Sequence, residues 1–313
     1  MNFFTAFFNS LPGAVDQGLV WAIMAIGLFI SFKILDFADL TVDGSFATGG
    51  CVCAILVTNG VNIFLALLIA LIAGALCGLV TGILHTYLGI PGILAGILTQ
   101  LMLWSINLKI LGRANVAVNS QKHFLVINQL NIWPTMGIMV GIIALIIVAL
   151  YWFFGTEYGA SIRCVGSNPR MAAANGINVK NKTIAGLMIS NALVAFSGAM
   201  LCQYQGFADI NMGRGAIVIG LAAIIVGLAV VSKISRNFAF TLTGVALGGV
   251  IYYIVYQLVI NLGLDTDLLK LLSAAIVAVF LAIPYCKKTY FSRIKKAKKE
   301  EVATATETEG GDE

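Results

Sequence analysis

IFLALLIALIAGALCGLVTGIL, residues 63–84, carries no charged residue and is long enough to cross a lipid bilayer. A membrane-spanning helix needs ~20 mostly apolar residues. The rest of the chain has the same character: 59% of its 313 residues are hydrophobic and only 11% are charged. Soluble domains are about a quarter charged, and no soluble core could hide this much apolar surface. Similar apolar segments lie at 15–34, 44–61, 91–108, 135–154, 183–204, 215–231, 239–261 and 268–285. They predict an all-α, polytopic transmembrane helix bundle of about nine spans, with eight to ten compatible with the pattern.

One membrane domain takes in residues 1–293. From 294 to 313 the chain turns from basic to acidic and loses its large apolar residues, which predicts a disordered, solvated tail. The basic run from Lys287 reads as a charged stop to the last span or as a contact for anionic lipid. Phe3, Phe4, Phe7 and Phe8 lie at the interface or lengthen the first span. The first basic residue is Lys33, so the basic n-region of a secretory signal peptide is missing. The second segment follows Asp43-Gly44-Ser45 and contains Gly49 and Gly50, so it reads either as a plain span or as a broken or re-entrant helix. Polar backbone at membrane depth is tolerated only inside protein or beside water.

Charge orients the bundle. If the segments 155–182, 232–238 and 286–313 and the end of the first span face the cytoplasm, fourteen of the nineteen basic residues lie inside. Lys109, Arg113, Lys122, Arg214 and Lys270 fall outside. The positive-inside rule favours this arrangement, with the N-terminus outside and the C-terminus cytoplasmic. Gly74, Gly78 and Gly82 stack on one helical face, and Gly244 and Gly248 repeat the spacing. Small residues placed this way let helix backbones approach closely in lipid. The cysteines fall mainly in apolar segments and behave as small hydrophobes; Cys51 and Cys53 lack metal or redox spacing. No cofactor, metal or nucleic acid is implied.

Phe37-Ala38-Asp39-Leu40 reappears as Phe207-Ala208-Asp209-Ile210, 170 residues later, each copy between two apolar segments. At the same offset Ala25 meets Ala195 and Gly50 meets Gly220. The copies fall on opposite sides of the membrane, which fits an inverted internal repeat with a transport route between its halves. The polar residues available to such a route are Asp39, Asp43, Asn107, Gln203, Gln205 and Asp209. Asp36, Asp39 and Asp43 also suit a second reading, as helix caps in a cytoplasmic turn. Tyr204 and Phe207 read as ordinary interfacial aromatics.

The loop from Gly155 to Lys182 holds a short capped helix. Asn168 suits its N-cap, Pro169 its first position, and Gly176 the left-handed position after its end. Alanines 172–174 favour helix between them. The result is about two turns, on the order of 10 Å, flanked by Arg163, Lys180 and Lys182. It is either a docking element for a soluble protein or a plain connector.

Gly159-Ala160-Ser161-Ile162-Arg163-Cys164-Val165-Gly166-Ser167-Asn168-Pro169, continuing through Ala174 and Gly176-Ile177-Asn178-Val179, resembles the ATPase-contacting loop of ABC importer permeases. The likeness is to the branched-chain amino acid and ribose permease superfamily. Within it, residues 39–46, 203–209, 90–99, 106–108 and 112–115 are similar to the subgroup associated with tryptophan/tyrosine transport. The one departure is Cys164, where a small residue or Thr is usual. The resemblance implies an ATPase-coupling loop carried by Gly159, Arg163, Gly166, Asn168, Pro169, Arg170, Ala173, Ala174 and Gly176. It also implies a second permease subunit forming a homodimer, a cytoplasmic ABC ATPase dimer, and an external substrate-binding protein that delivers a small solute such as an aromatic amino acid. The chain has no GxxxxGK[ST] phosphate loop, so ATP hydrolysis belongs to a separate chain.

Two other classes compete. An ion-coupled secondary carrier needs ionisable groups near the midplane, where this chain offers the neutral Asn107 and Asn191, with His85 at a span end. A membrane enzyme needs an acid, base and nucleophile cluster. Only His85 and His123 are available as histidines, and no such cluster stands out.

Overall fold

The first eight apolar segments each become a helix in the computed structural model, which describes residues 3–118, 125–127, 132–231 and 237–261 and the single positions 271, 275, 278 and 282. Apart from those positions, the expected last span at 268–285 lies outside the described residues. So do the tail at 294–313, the basic run from Lys287, Lys233 and Arg236, His123 and Cys286.

In chain order the helices are α1 (Phe3–Phe29), α2 (Val42–Thr58), α3 (Ile63–Thr86), α4 (Gly92–Leu111), α5 (Ile132–Gly155), α6 (Glu157–Ser167), α7 (Pro169–Ala174), α8 (Val179–Gln205), α9 (Ala216–Val231) and α10 (Phe238–Asn261). A π-helical turn, Ile30–Ile34, prolongs α1. Two short strands, β1 (Asn115–Ala117) and β2 (Phe207–Asp209), pair antiparallel, with Asn115 opposite Asp209. Phe3, Phe4, Phe7 and Phe8 lengthen the first helix. Six described helices are long and apolar enough to cross a membrane: Phe7–Ile34, α3, α4, α5, α8 and α10.

The two exceptions shape the rest. α2 has 17 residues and α9 has 16. At 1.5 Å per residue, α2 covers only ~25 Å, short of a hydrocarbon core of ~30 Å. Both start inside the bundle. α2 follows a non-helical stretch at 36–39, and α9 follows the turns at 210–215. The interruption foreseen within the second apolar segment therefore falls before α2. Gly49 and Gly50 sit in unbroken helix. Gly49 serves close approach: a Cβ there would lie 1.8 Å from the Ala195 carbonyl oxygen of α8.

α1 and α8 form the antiparallel centre. Ser190, Ser197 and Tyr204, one heptad apart on α8, donate their hydroxyls to the carbonyls of Gly27 (2.8 Å), Val20 (2.7 Å) and Gly13 (3.4 Å). α3 packs along α8 through Gly74, Gly78 and Gly82, and α10 packs on α9 through Gly244 and Gly248. Without a hydrophobic drive in lipid, such backbone proximity and interhelical hydrogen bonds hold the helices together. α4 and α5 lie outermost and leave large apolar side chains exposed, with Trp133 and Trp152 at opposite ends of α5. Aromatics at those depths fit the two membrane interfaces.

The glycine packing is testable. At Gly78 a Cβ would stand 2.3 Å from the Leu187 carbonyl oxygen, whereas at Gly141 it would meet nothing within 4 Å. Gly78→Leu is expected to destabilise the protein by ~2 kcal/mol or more, and Gly141→Leu by little, read as thermal unfolding in detergent.

Candidate functional site

The loop between α5 and α8 is a rigid two-helix element. α6 was not foreseen. Thr156 caps it, accepting the Gly159 N–H at its hydroxyl, and its glycines seat it. A Cβ on Gly159 would run into Phe153 and Phe154 at the end of α5, and one on Gly166 into Ile34 and Leu35 at the end of α1. Arg163 donates to the Phe154 carbonyl and lies 5.9 Å over the Phe238 ring. The Lys182 ammonium sits 3.1 Å over the Tyr158 ring.

α7 matches its sequence signals residue by residue. Asn168 accepts the Met171 N–H at 3.1 Å, Pro169 opens the helix, and Gly176 takes φ +78°. The N–H of Gly176 bonds the Ala173 carbonyl and that of Ile177 bonds the Ala172 carbonyl, the reciprocal pair of a Schellman stop. Ala172 is buried, while Arg170, Met171, Ala173 and Ala174 are exposed. The loop thus presents a short, doubly capped helix with a small-residue surface and one protruding methionine.

The two non-helical entries into the bundle form a polar centre. Asp39 is 1% exposed; its carboxylate accepts the Thr41 N–H (2.9 Å) and the Asn191 amide (2.7 Å). Ser45 donates to Asn191 at 2.6 Å, and hydroxyls of Thr41, Thr81 and Thr99 link α2 to α3 and α4. Asp39 thus makes both the local bond of a turn just before α2 and a long-range bond to Asn191; the N-cap of α2 itself is Thr41, with no side-chain capping bond. Asp36 is exposed at φ +53°, a left-handed conformation that aspartate tolerates better than most residues.

Asp43 caps a helix, but not its own. Its carboxylate oxygens accept the N–H groups of Gly215 (3.0 Å) and Ile217 (2.9 Å) at the start of α9. Beside it opens a cleft of about 230 Å³ lined by Asp43, Gln100, Leu101, Trp104, Asn107 and Arg214, among others. Asn107 is 1% exposed, and neither its Nδ2 nor its Oδ1 has a hydrogen-bond partner. Among the described residues no cluster of three or more potential metal ligands occurs.

The sequence model of the family described as branched-chain amino acid transport system / permease component matches residues 13–281. The chain belongs to this permease family. A tyrosine transport system permease protein of Clostridioides difficile (strain R20291) is 39% identical over 88% of this chain and 91% of its own length. An uncharacterized protein of Rickettsia prowazekii (strain Madrid E) is 32% identical over 88% and 97%. The ribose import permease protein of Escherichia coli (strain K12) is 27% identical over 63% and 61%. As a permease component, the chain is a multi-pass membrane transport subunit and not an enzyme.

Of the six polar residues that a route through the permease was expected to use, the structure brings Asp43 and Asn107 into one cleft and sets Asp39 in the adjoining network. The other three lie at the far end of α8. Gln203 is buried, accepting the Val126 N–H and facing Cys53; Gln205 is half-buried in the last residue of α8; Asp209 accepts the Asn211 N–H at 2.7 Å. Sequence reasoning missed Gln100, Trp104 and Arg214. A helical signal for the first two existed, since 100, 104 and 107 recur at i, i+4 and i+7 on one face. Arg214 was assigned to the outside by charge counting, although the chain leads it back beside Asp43.

The network makes its own prediction. Removing either Asp39 or Asn191 leaves a buried group unpartnered, at ~1–3 kcal/mol each. In a cycle of Asp39→Ala, Asn191→Ala and the double variant, unfolding should show a coupling of ~1–2 kcal/mol.

Proposed function

We propose that this permease is the membrane subunit of an ATP-driven importer, with α7 as the element that docks into a cytoplasmic ATPase. The observation that carries the reading is α7 itself. A helix of two turns fixed at both ends, seated by α6 against α1 and α5, transmits a push without bending. Its exposed Met171, Ala173 and Ala174 suit insertion into a groove, and Arg170 supplies charge at the rim. In this reading the loop face is cytoplasmic, consistent with Arg163, Arg170, Lys180 and Lys182 gathered there. The N-terminus is then outside and the C-terminus inside. A second copy completes a homodimer, two ATPases receive one α7 each, and an external binding protein delivers the solute. The tyrosine permease relative favours an aromatic amino acid as that solute.

An inverted repeat pairs α1–α3 with α8–α10. At the offset of 170, Asp39 and Asp209 each accept the N–H two residues ahead, of Thr41 and Asn211. Val20 corresponds to Ser190 and Gly27 to Ser197, so the Ser190–Gly27 and Ser197–Val20 hydrogen bonds exchange places under the offset. Gly74 and Gly78 correspond to Gly244 and Gly248. Asp43 corresponds to Gly213, and these two residues touch. Such an arrangement supports a route near the midplane where α2 and α9 begin.

The test is affinity purification of the tagged chain from its native membrane, with Met171→Glu and a Gly/Ser replacement of residues 168–176 in parallel. The intact chain should bring an ATPase. The linker variant should lose it, and Met171→Glu should lower it at least ~10-fold, with all three monodisperse by size exclusion. A correctly folded intact chain that brings no ATPase would redirect the reading to an ion-coupled carrier, checked by ion-driven uptake.

A further inference from the structure

The cleft beside Asp43 is a built polar site inside an apolar bundle. Two helices begin at its level, α2 at Val42 and α9 at Ala216, and the first N–H groups of α9 are taken by Asp43 and by the carbonyls of Gly213 and Gly215. Asp43 occupies two of the N–H groups at the α9 start through one lone pair on each oxygen, leaving further acceptor capacity on the same carboxylate. Arg214 lines the cleft next to Gly215 and is exposed. Charges set within a membrane protein by default face a pathway or a bound partner.

Asn107 supplies the independent observation. It is 1% exposed, lines the cleft, and leaves both its donor and its acceptor unused. A buried amide without partners is costly, so a packing role would be filled better by leucine. What satisfies it must offer both an acceptor for Nδ2 and a donor for Oδ1. Trp104, held by a 3.4 Å hydrogen bond from its indole N–H to Asn211, and Leu101 make the apolar wall. The volume, about 230 Å³, lies below the ~300–1,000 Å³ of drug-sized sites.

We propose that this cleft recognises the zwitterionic head of an α-amino acid within the permease itself. The carboxylate lies between Arg214 and the Asn107 Nδ2, the ammonium between Asp43 and the Asn107 Oδ1, and the side chain against Trp104 and Leu101. One cation, one anion and the two amides of Asn107 and Gln100 match a ligand carrying both charges; a free anion or a neutral sugar leaves one of the charges unanswered. The proposal rests on the permease reading for the need to pass a solute, and places a selective step in the membrane subunit as well as in any binding protein.

The experiment measures equilibrium binding to the full chain in lipid nanodiscs, using radiolabelled L-tyrosine, with L-leucine, tyramine, 4-hydroxyphenylpropionate and D-ribose as competitors. L-Tyrosine should bind and L-leucine should compete. Tyramine, which lacks the carboxylate, and hydroxyphenylpropionate, which lacks the amine, should each compete at least ~10-fold more weakly than unlabelled L-tyrosine. Asn107→Leu and Arg214→Gln should each weaken tyrosine at least ~10-fold, while Asn107→Leu unfolds at no lower temperature than the wild type. Wild-type affinity in Asn107→Leu, a lowered unfolding temperature in that variant without loss of binding, equal competition by tyramine or hydroxyphenylpropionate, competition by ribose, or no amino-acid binding at all overturns the proposal. The ATPase capture above is read on the same preparation. A chain that captures an ATPase yet binds no amino acid loses this site and keeps the importer reading; one that binds tyrosine selectively without an ATPase keeps the site and loses ATP coupling.

Discussion

The carboxylate of Asp43, accepting two backbone N–H groups at the start of α9, makes it possible for a helix to begin in the middle of a membrane bundle. In hydrocarbon no water is available for the free N–H groups of a helix start, and each one left bare costs several kcal/mol. A chain that starts two helices there must supply acceptors, from neighbouring residues or from elsewhere in the fold. α2 lends Asp43 to α9, and Asp39, just before α2, takes the Thr41 N–H. These bonds decide where the non-helical entries lie, and so where the polar centre and the cleft form.

The same constraint explains the packing around them. A short helix surrounded by protein cannot reach water at its inner end, so neighbouring backbones must close over it. Gly49 of α2, Gly198 of α8 and Gly213 before α9 have no room for a Cβ against a neighbouring backbone. The helix surfaces facing outward, on α4 and α5, are unconstrained and carry large apolar side chains. The bundle is therefore tight at its centre, where a polar network is set within an apolar core, and apolar at its rim.

Much of this was legible in the sequence, for identifiable reasons. Charge-free runs of bilayer length have one physical solution, so the apolar segments translated directly into helices. α7 was legible because its caps are local: Asn168, Pro169 and Gly176 each act within a few residues. Asp43 was ambiguous because its partners are 172 and 174 residues away, and no local pattern marks a cap given in trans. α6 was missed because its two glycines and its mixed face look like loop; they are there to let it lie on Phe153 and Ile34. The polar face of α4 was legible in principle, but Gln100 and Asn107 stand among apolar neighbours, and only the fold shows that the amide of Asn107 is left without a partner.

Loop and cleft are joined by backbone. Gly166 of α6 lies against Ile34 and Leu35, at the end of the π-helical turn, and α7 follows α6 after a single residue. From Ile34 the chain runs through the non-helical residues 36–39 into the first turn of α2, where Asp43 stands. At Gly166 the contact is main chain on main chain, with no side chain between to absorb a displacement. A π-helical turn has a nearby α-helical alternative that shifts everything beyond it by one residue. The π-helical turn on which α6 rests through Gly166 thus leads along the chain to the carboxylate that fixes the start of α9. The geometry joins the α6–α7 loop to the place where the two short helices α2 and α9 begin. It also gives a reason for α1 to end in an expanded turn where a regular helix would be more stable.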